Sequence, residues 1–124
     1  MELILKEISG HLPTSDFELK EGNKVIGKLQ LRHRPSKSAD VPEGFENHIY
    51  YEIEPNYRGK GYGKRILALG LEEARKLGLS EVIVTCDSDN ISSRKIIEAN
   101  GGELLDEQPE SNGKMVRKYK ITVA

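Results

Sequence analysis

The stretch Tyr57-Arg58-Gly59-Lys60-Gly61-Tyr62-Gly63-Lys64-Arg65 constrains this chain most, because it sets three glycines at alternating positions between a strand and a helix. Before it, residues His48 to Glu54 alternate, with Ile49, Tyr51 and Ile53 on one face and His48, Tyr50 and Glu52 on the other, until Pro55 ends the ladder. After it, Ile66, Leu67, Leu71, Ala74 and Leu77 recur at helical spacing, Glu72 stands four residues before Lys76, and Gly78 supplies the stop. Glycines 59, 61 and 63 open φ values closed to other residues, so successive N–H groups can converge on one point. The helix start adds unpaired donors and about half a positive charge. A pyrophosphate suits that cradle, and Arg58, Lys60, Lys64 and Arg65 place four positive charges within eight residues. A tight turn carrying solvated basic residues is the other reading of the same loop.

Spacing excludes two familiar phosphate loops. A Walker A loop needs four residues between its glycines and Ser or Thr after Gly-Lys, but three residues separate Gly59 from Gly63, and Arg65 follows Lys64. A dinucleotide fingerprint needs glycine where Lys64 stands. The 19 basic and 20 acidic side chains leave a net charge of -1, with no global field for nucleic acid or an anionic membrane, so neither partner is expected and any anion site is local.

At 124 residues a single domain over 1–124 is expected. No apolar run approaches a bilayer span, and MELILKEISG lacks the basic flank and apolar stretch of a secretory signal, so a cytoplasmic location is expected. Cys86 has no disulfide partner, and no Cys/His spacing suits zinc, so no metal is expected. Ending the run Val82-Ile83-Val84-Thr85, Cys86 reads as a half-buried core thiol, with a nucleophile as the other reading.

Elsewhere, Phe17-Glu18-Leu19 and Lys24 to Arg32 form a hairpin around Glu21-Gly22-Asn23, and the run RPSKSADVPEG from Arg34 to Gly44 reads as an exposed loop. Glu81 to Thr85 is a strand rich in β-branched residues. Ser92 reads as the N-cap of a second helix that carries Ile96 and Ile97 and stops at Asn100-Gly101-Gly102. A last hairpin turns near Ser111-Asn112-Gly113, between Glu103-Leu104-Leu105 and Val116 to Val123.

The pattern Arg58-x-x-Gly61-x-Gly63 resembles the acetyl-CoA motif of the GNAT superfamily: Arg or Gln, two residues, Gly, one residue, Gly or Ala. Ile53 and Pro55 before it, the helix after it, the strand Glu81 to Cys86, Asn90-x-x-Ser93 and Asn100-Gly101-Gly102 follow the family's order and spacing over residues 47–105. Leu12-Pro13, the hairpin ending Gly27-Lys28-Leu29-Gln30-Leu31-Arg32-His33, and His48-Ile49 resemble a bacterial branch of predicted acetyltransferases. The resemblance implies an α/β fold with a mixed, mostly antiparallel sheet, splayed between the central strand and the next and flanked by helices. It implies acetyl-CoA as acetyl donor, with the pantetheine arm in the splay against the backbone of Tyr51 to Ile53. Backbone amides of Arg58, Gly59, Lys60, Gly61, Tyr62, Gly63 and Lys64 would hold the pyrophosphate, and Asn90 and Ser93 would touch the arm. Asn90 as a plain turn residue is the other reading. The implied activity is acetyl transfer to a primary amine of a small molecule or peptide, by direct attack on the thioester. A non-catalytic acetyl-CoA-binding or regulatory domain is the alternative.

Two departures stand out. The family's acid, a tyrosine seven residues after the asparagine, is replaced by Ile97. Residues 1–16 leave little room for the two helices that the family places between its first two strands, so the N-terminal helical part is shortened. The acceptor groove is then open, or completed by a second subunit. Separately, many proteins of the family look like homodimers, and the final strand could serve as an exposed edge. For the general base, Glu52 is nearest in sequence to the pantetheine contacts and His48 has the better unperturbed pKa, with His33 in reserve. Ordinary polar residues on a solvated face explain these side chains as well. Glu43, Glu46, Glu52 and Glu54 suit a cationic acceptor, or are simply a solvated acidic edge.

Overall fold

Period-two burial along Thr14–Glu21, with Ser15, Phe17 and Leu19 inside, sets the plane on which the rest of the chain is built. The computed structural model describes residues 1–9, 13–36 and 46–123. Strands β1 (Glu2–Ser9), β2 (Thr14–Glu21), β3 (Lys24–Ser36) and β4 (Asn47–Ile53) form one sheet in sequence order. A 3-10 turn at Pro55–Tyr57 leads to α1 (Tyr62–Lys76), then β5 (Glu81–Asp87), α2 (Ile91–Ala99), β6 (Glu103–Pro109) and β7 (Met115–Thr122). The last three strands form a second sheet in the order β5-β7-β6. Every ladder among the described residues is antiparallel.

The core lies between the sheets and α1. Leu19, Leu29, Leu31 and Ile49 from the first sheet meet Ile66, Leu67 and Ala74 of α1, and Val82, Val84, Tyr119 and Ile121 close it from the second sheet. A Cβ added to Gly70 would lie 2.5 Å from Leu29 Cδ1, so glycine lets α1 settle directly onto β3. Gly78, at φ 88°, ends α1 as expected: its N–H bonds Arg75 O and that of Leu79 bonds Ala74 O, which satisfies the last carbonyls.

No ladder joins β4 to β5, and this is the expected splay. Side chains span the seam instead. Asn47, whose Oδ1 accepts from Arg32 within the first sheet, donates through Nδ2 to Thr85 Oγ1 at 3.0 Å, and the Ile83 N–H donates to His48 Nδ1 at 3.0 Å.

Several expectations need correction. The first segment is a strand, β1, paired with β2 along Glu2↔Lys20 to Ser9↔Thr14. β3 continues through Arg34 to Ser36, where a loop was expected, because the β3–β4 register shifts between Leu31 and Ser36 and frees Pro35 from the regular ladder. The rest of that loop and Glu43 lie outside the described residues. The final strand is not an edge: β7 sits between β5 and β6, and β6, exposed throughout, is the edge strand on the side away from β5. Asn90, rather than Ser92, caps α2, its Oδ1 accepting from Ser93 N at 3.1 Å.

Candidate functional site

The glycine loop is built for two different reasons. Gly59 (φ 76°) and Gly61 (φ 84°) occupy the left-handed region, with open space where a Cβ would go. Gly63 is helical; a Cβ there would come within 2.6 Å of Ile96 Cδ1, so it serves the close packing of α1 on α2. Gly61 is the N-cap of α1 and gives no side-chain cap to the first-turn amides. That turn holds no acidic residue and carries Lys64 and Arg65, the wrong sign for a helix N-terminus by about 0.3–1 kcal/mol each. Uncapped donors beside misplaced cations suit an anion seated between them. The rings of Tyr57 and Tyr62 meet edge to face at 6.1 Å and tie the two ends of the loop together.

Arg58 departs from its expected place among the loop cations. Its Nε donates to Ile53 O at 2.9 Å and its guanidinium lies 3.6 Å from Glu52 Oε1, so it turns back along β4. Both side chains are more than half exposed, so the pair is worth little, about 0–1 kcal/mol.

From the loop a groove of about 470 Å³ runs between β4 and α2. It gathers Tyr51, Glu52, Ile53, Arg58, Gly59, Tyr62, Gly63, Asn90 and Ser93. Lys60 is outside this wall, and Gly61 and Lys64 line a separate hollow with Arg65 and Asn100. A second cavity of about 340 Å³ shares Tyr50, Tyr51, Asn90 and Ser93 with the groove and follows the seam to Thr85, Cys86 and Asp87. Burial pushes the Cys86 thiol up to about 11, which favours the neutral form and suits a half-buried core thiol.

The structure separates the candidate bases. Glu52 is exposed and lines both the groove and a hollow of about 380 Å³ on the open face of β1–β4, with Tyr50, Glu7, Asp16 and Lys28. His48 is 6% exposed and its Nδ1 is engaged by the Ile83 N–H; burial lowers its pKa, with Glu81 pulling weakly the other way. It lines none of these cavities. His33 Nε2 is 2.7 Å from Ser15 Oγ, away from the groove. The Tyr51 side chain was passed over in the sequence because alternation puts it with Ile49 and Ile53 as apparent core. Its hydroxyl is buried without a hydrogen bond of good geometry.

Among the described residues no cluster of three or more His, Cys, Asp or Glu could hold a metal ion, and no helix is long and apolar enough to cross a membrane. The profile of the Acetyltransferase (GNAT) family matches residues 4–101. The chain belongs to the GNAT family. A mycothiol acetyltransferase of Geodermatophilus obscurus is 26% identical over 89 residues, 72% of this chain but 29% of that protein. The GNAT chain thus spans under a third of that curated relative. Among solved structures, YncA from Salmonella typhimurium with its cofactor acetyl-CoA superposes at TM-score 0.68 and 17% identity, over 90% of this chain and 65% of that one. A mutant spermidine N-acetyltransferase SpeG from Vibrio cholerae gives 0.71 and 16%, over 89% and 66%. A ribosomal-protein-alanine N-acetyltransferase from Brucella melitensis gives 0.69 and 20%, over 88% and 68%. The GNAT fold is common to all three.

Proposed function

We propose that this chain is an acetyl-CoA-dependent N-acetyltransferase acting on a primary amine of a small molecule or peptide. One observation carries the reading: the uncapped α1 N-terminus, with its left-handed Gly59 and Gly61, opens into a groove that adjoins, at Tyr51, Asn90 and Ser93, a cavity along the unladdered seam between β4 and β5. Acetyl-CoA, when bound, supplies the acetyl group as a thioester. Amides of residues 58–64 would hold its pyrophosphate, with Lys60, Lys64 and Arg65 adding charge. The free edge of β4 near Tyr51 to Ile53 offers backbone groups to the pantetheine amides and an N–H to polarise the thioester carbonyl. Asn90 and Ser93 face the arm from the start of α2.

Glu52 is our candidate base. It stands on the open face beside the groove, where a protonated amine would arrive and must lose a proton before attacking directly. Only residues 10–13 separate β1 from β2, so this face is open to the acceptor or to a second copy of the chain. The single free thiol of Cys86 suits a reducing, cytoplasmic setting. Calorimetric titration with acetyl-CoA, followed by assay of free thiol with a panel of amines, tests the reading. Binding with amine-dependent thiol release is expected. Binding without release points to the non-catalytic alternative, and no binding refutes both.

A further inference from the structure

Tyr51 raises a question that cofactor binding through the strand backbone does not answer. Its hydroxyl is buried with no hydrogen bond of good geometry, the Ser93 side chain lying near enough only to interact with it weakly, a condition that costs free energy and that phenylalanine would avoid in the same space. Tyr51 lines both the cofactor groove and the seam cavity, and the two meet at Tyr50, Tyr51, Asn90 and Ser93. In the proposed binding mode the thioester sits at that junction. On α2 the place of the family's tyrosine is taken by Ile97, apolar and fully buried, and Glu98 is engaged by Tyr119 Oη. Tyr50 at the same junction is 54% exposed, where the Tyr51 hydroxyl is held inside, and Cys86 lies on the far wall of the seam, on β5.

We propose that the Tyr51 hydroxyl, on β4 instead of the second helix, is the general acid that protonates the departing CoA sulfur. The inference rests on the acetyl-transfer reading above. As the amine nitrogen bonds the carbonyl carbon, the carbon–sulfur bond breaks and its electron pair stays on sulfur. Tyr51 Oη–H gives that sulfur its proton, and the product is a free thiol. The proton lost by the amine passes through Glu52 or water to solvent, from which the phenolate is reprotonated. The net change is one N–H proton exchanged for one S–H proton. Burial raises the Tyr51 pKa, against an opposing hydrogen-bonding effect of the Ser93 side chain, so the phenol is protonated at neutral pH and available as a donor to the departing sulfur.

The test is Tyr51→Phe, read in two ways. CoA is bound to each protein and its thiol titrated through the ultraviolet absorbance of the thiolate. A donor aimed at sulfur stabilises the thiolate, so the thiol of CoA bound to wild type should ionise roughly one pH unit below that of free CoA, and the Phe variant should lose this shift. With an active amine, kcat should fall about 10²-fold in the variant, with KM for acetyl-CoA unchanged. Thermal unfolding should be unchanged or later in the variant, because the hydroxyl lost makes no hydrogen bond of good geometry. A thiol that titrates in wild type as in free CoA, or equally in both proteins, overturns the role of Tyr51 and leaves acetyl transfer standing. Failure of wild type to bind CoA overturns both. Since the titration needs no acceptor, it decides the matter even if no amine is turned over.

Discussion

Replacing His48 with alanine removes the acceptor that holds the Ile83 N–H of β5 at 3.0 Å, from a site only 6% exposed. An unsatisfied buried N–H costs about 1–3 kcal/mol, and the lost ring packing brings the expected destabilisation to about 2–4 kcal/mol. For 124 residues, at about 2.1 cal/mol/K of unfolding entropy each, 1 kcal/mol moves the midpoint by about 4 °C, so Tm should drop by about 8–16 °C. His48→Asn offers a carbonyl oxygen near the same place and should recover much of that loss. The pH dependence has a definite sign. Burial lowers the folded pKa of His48 below its ordinary 6.5, so its contribution is complete above that pH. It is lost as pH falls from about 6.5 through the lowered folded value, where protonation also destroys the Nδ1 acceptor. Differential scanning of parent and Asn variant across pH 4–8 should therefore show the parent losing extra stability in acid, a loss absent from the variant. An alanine variant melting within about 2 °C of the parent would refute the strut. An Asn variant that stays as stable as the parent yet loses about 10²–10⁴ in kcat/KM would show His48 to be the base.

Three further outcomes follow from the geometry. Gly61→Glu forces a side chain at φ 84° and puts a carboxylate at the N-cap of α1, so acetyl-CoA affinity measured by calorimetry should fall about 10²-fold or more while the circular dichroism stays native; undiminished affinity would remove the loop assignment. Glu52→Gln should lower kcat/KM by about 10²–10⁴ and erase the acidic limb of its pH profile, with Tm nearly unchanged because the pair with Arg58 is exposed. Gly70→Ala should cost about 1–3 kcal/mol in denaturant unfolding, because the new Cβ would lie 2.5 Å from Leu29 Cδ1, and adding Leu29→Val should recover part of it.

The segment from β4 through α1 was legible because its rules act over a few residues: parity along the strand, positive φ at Gly59, Gly61 and Gly78, and helical spacing between them. Features set by distant partners were not. β1 lacks a clear alternation of its own, and its pairing with β2 defines it. The position of β7 between β5 and β6 depends on the ladder from Glu81↔Thr122 to Asp87↔Val116, which no local pattern announces. His48 shares parity with Tyr50 and Glu52, yet it is buried against β5 where they stay exposed, since parity gives a face and not what covers it. Charge was misleading in the same way at Arg58, whose nearest acceptors, Ile53 O and Glu52, lie behind it on the strand.

The side-chain seam between the sheets also bears on how the chain folds. β1 to β4 form a meander in which each strand pairs with its neighbour in sequence, and β6 and β7 form a hairpin. Of the ladders, only β5–β7 reaches past an intervening strand, and the first sheet shares no ladder with the second. Low sequence separation favours early closure of the β1–β4 meander and the β6–β7 hairpin, and predicts that the two sheets dock across α1 last. On that order the contacts of Asn47, His48 and Thr85 are expected to form after the rate-limiting barrier. Substitutions at these three positions should quicken unfolding by nearly their whole stability cost and leave the folding rate almost untouched.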